Sequence, residues 1–167
     1  MQAVDKHITN TQGGFGRPER SCMCKILFDV PGRPQGKARA RTVHKSSKTM
    51  SFTPDNTVLY ENLIKTCYMA ASKKIYENKE PLRIHITAYF SPPLSTSKKR
   101  RSRMLSGAEY PVKKPDADNI AKVVCDALNG VAYSDDVQVC DLTVEKKYGP
   151  TAKVSVEIES IGGDELA

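Results

Sequence analysis

The chain has 167 residues, 39% of them hydrophobic, which fits one soluble globular domain with a real core and excludes a disordered polymer. No apolar run approaches membrane-spanning length and the N-terminus lacks an apolar signal-peptide core, so a cytoplasmic protein without membrane contact is expected. The formal net charge is +7, and its uneven distribution favours a polyanionic partner.

A polar N-terminal segment, residues 1–21, shows no periodicity and is predicted to be a flexible tail. A first strand follows it, because apolar side chains alternate along the chain; they are Ile26, Phe28 and Val30. Pro31-Gly32-Arg33-Pro34 ends this strand. We expect one globular domain over residues 22–161 and a frayed C-terminus over residues 162–167.

Basic residues are concentrated in two runs that contain no acidic residue. The first run includes Arg33, Lys37, Arg39 and Arg41. The second run includes Lys98, Lys99, Arg100 and Arg101. Either run alone could be a solvated loop. Because the two runs flank an acidic cluster, we predict that they bind a polyanion.

Thr53-Pro54 predicts the start of a helix that runs to about Tyr76, since Thr suits the N-cap and Pro the first helical position. Its apolar positions recur at helical spacing; they are Leu59, Leu63, Cys67, Ala70 and Ala71. Pro81 opens the next strand, one face of which carries Ile84, Ile86, Ala88 and Phe90. Ser95-Thr96-Ser97 can cap a short basic helix that ends near Gly107.

A third helix begins around Asp118 and has a clear apolar stripe, formed by Ile120, Val123, Val124, Ala127 and Leu128. Asn129-Gly130 closes this helix, with Gly free to adopt the left-handed conformation. Two strands follow, and Gly149-Pro150 between them predicts a hairpin-type turn. The order of elements predicts an α+β fold: a single compact domain with a small mixed β-sheet and helices mainly on one face.

Two short acidic segments stand out in this basic chain. Asp116 and Asp118 lie at the start of this third helix, and Asp135 and Asp136 follow its end. Crowded carboxylates repel each other unless a cation lies between them, and Mg²⁺ prefers oxygen ligands. If the first segment is extended, Asp116 and Asp118 point to the same side. The alternative is that one of them merely caps the helix, which accounts for one carboxylate but not for two.

Two local questions stay open from spacing alone. Lys122 lies one helical turn after Asp118, so it could form a helix salt bridge or direct its ammonium group towards a phosphate. In the later segment the apolar parity switches near Val139-Cys140, which predicts a β-bulge. Periodicity therefore does not say which of Asp135 and Asp136 faces the site.

Several motifs together closely resemble the RusA family, the Holliday junction resolvases of bacteria and their phages. The three C-terminal pieces are Lys114-Pro115-Asp116-Ala117-Asp118-Asn119-Ile120-Ala121-Lys122, Asp126-Ala127-Leu128-Asn129-Gly130 and Ser134-Asp135-Asp136-Val137-Gln138-Val139. Pro31-Gly32-Arg33-Pro34 and Gly36-Lys37-Ala38-Arg39-Ala40-Arg41 also look like the N-terminal pattern of the family. The resemblance covers roughly residues 25–161. It implies a RusA-like fold and a cytoplasmic homodimer, bacterial or phage-encoded, that nicks opposing strands of a four-way DNA junction in recombination and repair.

The resemblance also implies roles for individual residues. It assigns Asp116, Asp118 and Asp136 as Mg²⁺ ligands and Lys122 as an essential basic residue beside them. Asp135 matches the neighbouring acidic position, where it could hold a ligand or water in place. The two basic runs then become DNA-backbone contacts. A nucleotide cofactor is not expected, because the sequence has no Walker-type phosphate loop.

Other functions fit the same residues. A metal-dependent nuclease that acts on other branched DNA or on RNA would carry the same acidic cluster. In a non-catalytic nucleic-acid-binding protein, the Asp residues would be helix caps and salt-bridge partners. A structural calcium site fits less well, because the acidic spacing is not that of an EF-hand loop.

Overall fold

Ten regular elements build the part of the chain that the computed structural model describes, residues 25–38, 41–45, 48–52 and 54–161. The strands are β1 (Ile26–Pro31), β2 (Arg41–Lys45), β3 (Lys48–Phe52), β4 (Leu82–Phe90), β5 (Val139–Tyr148) and β6 (Lys153–Ser160). The helices are α1 (Asp55–Ala71), α2 (Lys98–Leu105) and α3 (Ala117–Leu128), with a 3-10 turn at Asp136–Gln138. None of these helices is long and apolar enough to cross a membrane. The predicted tail and frayed end, residues 1–21 and 162–167, lie outside the described residues.

A mixed sheet in the order β1-β6-β4-β5 forms the centre of the molecule. β6 pairs antiparallel with both β1 and β4, whereas β5 pairs parallel with β4 at the edge. β2 and β3 form a separate two-stranded hairpin, which the sequence analysis missed. The single domain with one mixed sheet and three helices confirms the predicted α+β class.

The core lies between one face of the sheet and the helices α1 and α3. The apolar stripe predicted for α3 is buried throughout, as are the predicted inward positions of β1 and β4. Tyr68 of α1 packs edge-to-face on Phe28 of β1, with ring centroids 5.6 Å apart. The other face of the sheet carries ion pairs, including Lys25 with Glu157. Helices therefore cover one face, and the second face is polar.

The buried side of α1 agrees with the prediction only in part, since Leu63 and Cys67 pack against the core and the other predicted positions do not. Leu59 is 67% exposed, and Ala70 and Ala71 are also exposed. The residues that α1 buries are Thr57, Tyr60, Ile64 and Tyr68. Tyr68 can be buried because its hydroxyl donates a hydrogen bond to the Lys74 carbonyl at 2.6 Å, and hydropathy patterns undervalue an aromatic ring with such a partner. The helix also ends at Ala71, five residues before the predicted end at Tyr76.

The hairpin predicted at Gly149-Pro150 does not form, because β4 lies between β5 and β6 and pairs with both. The Gly149 amide donates to the Phe90 carbonyl at 3.0 Å, so the turn passes close over the end of β4. A Cβ at Gly149 would lie 3.0 Å from the Tyr89 ring, so a larger residue here would require the ring to shift. The turn motif correctly predicts the reversal of direction, but it does not determine strand pairing.

The β-bulge predicted near Val139-Cys140 is confirmed. Leu82 pairs with Val139 and Arg83 with Asp141, so Cys140 is the extra residue in β5. Gly130 at the end of α3 has φ +72°, which also confirms its predicted left-handed conformation. These two irregularities set the path from α3 into β5, along which the second acidic segment lies.

Candidate active site

The first acidic segment presents two exposed carboxylates at the start of α3. Asp116 occupies the N-cap in an extended conformation, yet its side chain makes no capping hydrogen bond. Asp118 lies in the first turn of α3 and is exposed. Since capping does not use either carboxylate, both are available to bind a cation.

Lys122 lies one turn further along α3 and is exposed. The ion pairs found in the described residues do not include one between Lys122 and Asp118. The simple helix salt bridge that the spacing allowed is therefore not formed. Among the described residues the ammonium group of Lys122 has no ion-pair partner, so it can interact with a substrate.

A cleft of about 470 Å³ lies directly beside this segment. We call it the Asp116 cleft; its lining includes Arg33, Gln35, Lys114, Pro115, Asp116 and Asn119. One wall is the loop after β1, residues 32–38, and the other is the segment that enters α3. A cleft with basic side chains next to two carboxylates can accept a phosphate backbone at the position where a bound cation would act.

The second acidic segment is fixed by its own hydrogen bonds. Asp135 caps the 3-10 turn and accepts from the Val137 amide at 3.2 Å, while the Gln138 side chain completes a capping box. The side-chain amide of Gln138 also donates to the Glu77 carbonyl at 2.7 Å, which anchors the turn to the segment before β4. Asp135 therefore has a structural role in this turn.

Asp136 is exposed, and no described basic side chain forms an ion pair with it. A hydrogen bond to the Asp135 carboxyl, partial desolvation and the negative charges of Asp135 and Asp126 raise the pKa of Asp136. Asp126, in the last turns of α3, is therefore one of the charges that act on Asp136. The Tyr133 hydroxyl also donates to the Cys125 carbonyl at 3.1 Å, which holds the intervening segment against the same end of the helix.

The single chain does not bring the three predicted ligands together. Asp116 and Asp118 lie at the start of α3, and Asp136 lies in the 3-10 turn that follows α3 along the chain. In the described part of the chain, no three His, Cys, Asp or Glu side chains are close enough to hold one metal ion. The assignment of Asp136 to the same site as Asp116 and Asp118 therefore stays a prediction.

The pair Asp116 and Asp118 nevertheless suits Mg²⁺ by its chemistry. Mg²⁺ is usually bound by one or two carboxylates, several waters and the phosphate of a substrate. Two exposed carboxylates beside a basic cleft provide that set without a third protein ligand. The residues of this segment therefore fit a hard divalent cation.

The predicted DNA-binding residues are in different environments. Arg33 lines the Asp116 cleft, and Lys98 and Lys99 are exposed on α2. Arg100 is bound to Glu109, with an N–O distance of 2.6 Å, and its neighbour Arg101 is half-buried. Lys37 is held by Glu61 and Asp126. Arg39 lies outside the described residues, and Arg41 is the first residue of β2.

The structure also gathers cations that the sequence analysis missed. Lys113 and Lys146 lie over the Phe90 ring at 5.0 and 5.6 Å from its centre, and Lys113 lies 5.5 Å from the Tyr148 ring centre. Burial and the positive charges of Arg33 and Lys146 lower the pKa of Lys113. We call Lys113, Lys146 and Arg33 the basic cluster. Its members are distant in sequence, so no run of charges reveals it.

Comparison with known proteins gives two matches. The family model for the endodeoxyribonuclease RusA matches residues 31–159. An uncharacterized protein of Bacillus subtilis (strain 168), YqaN, is 32% identical over 140 residues, which cover 81% of this chain and 96% of that protein. The family match includes β1's last residue, the Asp116 cleft and both acidic segments.

Proposed function

The chain belongs to the RusA family of endodeoxyribonucleases, which supports a Holliday junction endonuclease, and on this premise we propose that it resolves four-way junctions with Mg²⁺ in DNA recombination and repair. We propose that it acts as a cytoplasmic homodimer without a nucleotide cofactor. One observation carries the proposal: the carboxylates of Asp116 and Asp118 are exposed, unused by helix capping and adjacent to a basic cleft.

In this proposal Asp116 and Asp118 hold the ion, and each of the other residues has a distinct task. When bound, Mg²⁺ polarises the scissile phosphate and makes a water more acidic. The Lys122 ammonium stabilises negative charge that develops on the phosphate. Arg33, in the Asp116 cleft, orients the strand by contacting backbone phosphates. The Asp135 carboxyl holds the 3-10 turn, so its effect on cutting is indirect.

Asp136 remains a proposed ligand on the family resemblance. The negative charges of Asp135 and Asp126 repel its exposed carboxylate, and a bound cation would offset this repulsion. The described residues form no three-ligand group, so the proposal requires that Asp136 reaches the ion in the active assembly with DNA. Asp136→Asn tests this: loss of cutting by a folded, junction-binding variant supports a role in the active assembly, and cutting at the parent rate removes Asp136 from the ligand set.

The proposed homodimer follows from the substrate. A four-way junction has two-fold symmetry, so paired symmetric nicks need two active sites related by the same symmetry. A dimer in solution and two nicks at symmetry-related positions of one junction are the expected observations.

The deciding experiment is cleavage of end-labelled substrates with and without Mg²⁺. The panel contains a four-way junction, a flap, a fork, a linear duplex and an RNA hairpin. A resolvase cuts the four-way junction preferentially and symmetrically. Preference for the flap, the fork or RNA would favour the alternative nuclease, and absence of cutting on every substrate at all Mg²⁺ concentrations would leave a binding protein.

A further inference from the structure

Lys37 links two helices through their carboxylates. Its Nζ lies 2.5 Å from Glu61 Oε1 on α1 and 2.8 Å from Asp126 Oδ2 on α3. The Lys37 side chain is only 22% exposed, so this ion pair is largely shielded from solvent. Burial opposes the charge of Lys37, but the hydrogen bonds that its ammonium donates to Asp126 and Glu61 outweigh it and raise the pKa of Lys37. The ammonium group is therefore charged wherever the protein is folded at neutral pH.

The loop that carries Lys37 is also pressed against the start of α3. The Lys37 amide donates to the Asn119 carbonyl at 2.9 Å. A Cβ at Gly36 would lie 2.9 Å from the Cβ atoms of both Pro115 and Asn119, so only glycine permits this approach. The two contact points, Pro115 and Asn119, flank the two carboxylates proposed to hold the ion.

We propose that Lys37 is a positioning residue that clamps the loop of residues 32–38 onto α1 and α3 and thereby fixes Asp116 and Asp118 for cutting. This inference rests on the proposed function. Removal of the ammonium group leaves Glu61 and Asp126 as partly buried, uncompensated carboxylates, which repel each other. The loop then loses its anchor, and the backbone that carries the two ligands loses its support.

The same lysine belongs to the basic run predicted to grip DNA, and the two roles make opposite predictions. A lysine that contacts a phosphate contributes about one unit to the slope of log affinity against log salt. A lysine whose ammonium already binds two carboxylates releases no counterions when DNA binds. Lys37 should therefore affect the rate of cutting and leave the salt dependence of binding unchanged.

The test uses the full chain and a synthetic four-way junction. Lys37→Met removes the clamp, and Lys37→Arg keeps the charge. Gly36→Ala pushes the loop away from Pro115 without changing any charge. Lys25→Met is the matched control, because it also removes an ion-paired lysine, but one whose carboxylate partner, Glu157, lies on the outer face of the sheet. Measured quantities are the single-turnover cleavage rate, the junction affinity at several salt concentrations, and amide hydrogen exchange of residues 32–38 and 114–120 without metal.

We expect Lys37→Met and Gly36→Ala to cut on the order of 10- to 100-fold more slowly, since a misplacement of about 1 Å can cost this much. Their salt slope should match that of the parent, because neither variant removes a cation that is free to contact a phosphate, and exchange should accelerate in both segments. Lys37→Arg should recover most of the rate, and Lys25→Met should behave as the parent.

A Lys37→Met protein that cuts at the parent rate, or whose salt slope falls by about one unit, overturns the proposal. If Lys37→Met does not fold, Gly36→Ala decides, because it keeps every charge. A parent protein that cuts no junction refutes the proposed function instead. Hydrogen exchange still tests the positioning role of Lys37 in that case, and unchanged protection of residues 114–120 in the variants would contradict it.

Discussion

The basic cluster yields a prediction that can be expressed as a number of phosphate contacts. The ammonium groups of Lys113 and Lys146 share the Phe90 ring, and neither forms an ion pair with a carboxylate in the described ranges of the chain. Lys146 donates to the Lys113 carbonyl, which keeps the two side chains together. Lys113 is repelled by the positive charges of Lys146 and Arg33. A bound DNA phosphate would reduce this repulsion, because its negative charge lies between the cations.

The magnitude follows from counterion release. Each neutralised phosphate contributes about 0.9 to the slope of log affinity against log salt. The double substitution Lys113→Met/Lys146→Met should therefore reduce the slope by about 1.8. Over a roughly four-fold increase in salt, the parent should lose about 12-fold more affinity than the double variant.

Binding of a labelled four-way junction, measured without Mg²⁺ at several salt concentrations, checks this prediction. The matched control is Lys25→Met/Lys153→Met, because these two lysines pair with Glu157 and Asp29 on the outer face of the sheet. The control removes the same formal charge and should change the slope little. An unchanged slope in Lys113→Met/Lys146→Met, or an equal fall in the control, would refute a local DNA contact at the basic cluster.

Further predictions concern the carboxylates and the end of α3. Asp116→Asn and Asp118→Asn should each reduce Mg²⁺-dependent junction cutting to background while junction binding in gel-shift assays is retained or strengthened, because negative charge beside the cleft is reduced. Since the pKa of Asp136 is raised, the native state holds its proton more tightly than the unfolded state, and stability falls as pH rises through that raised pKa. Asp136→Asn should therefore raise Tm at pH 7, with the gain vanishing below the ordinary Asp pKa of about 3.9; an equal gain at low pH would contradict this. Gly130→Ala should lower the free energy of unfolding by about 1 kcal/mol, because φ +72° is unfavourable for a residue with a Cβ. Thermal unfolding at pH 7 measures this loss.

Local patterns predicted some elements well and others poorly, for physical reasons. The stripe of α3 was readable because its apolar residues are aliphatic and repeat at helical spacing. The face of α1 was misread because its buried positions include Tyr60 and Tyr68, which hydropathy ranks below Leu59. The pairing of β5 with β4 could not be predicted from the Gly149-Pro150 turn, since strand order depends on contacts between distant segments.

The candidate site divides in the same way. Asp116, Asp118 and Lys122 lie within seven residues, so their proximity followed from local geometry. Asp136 comes from a separate segment beyond α3, so motif spacing alone does not reveal its distance from the first pair. The role proposed for Lys37 was also hidden, because its partners Glu61 and Asp126 come from two different helices. A charge run identifies a cation but not its partner.

Negative charge is favoured at the start of α3, whereas carboxylates repel each other near its end. At its start, the unpaired helix amides favour negative charge, so Asp118 and a DNA phosphate can gather there at low cost. At its end, Lys37 compensates Asp126, but Asp136 still feels the charges of Asp126 and Asp135. Removing Lys37 should therefore affect both ends: it loosens the support of Asp118 and increases the repulsion at Asp136. The pKa of Asp136, followed by NMR titration, should rise further in Lys37→Met, and a pKa that does not rise would show that the Lys37 clamp acts on the start of the helix alone.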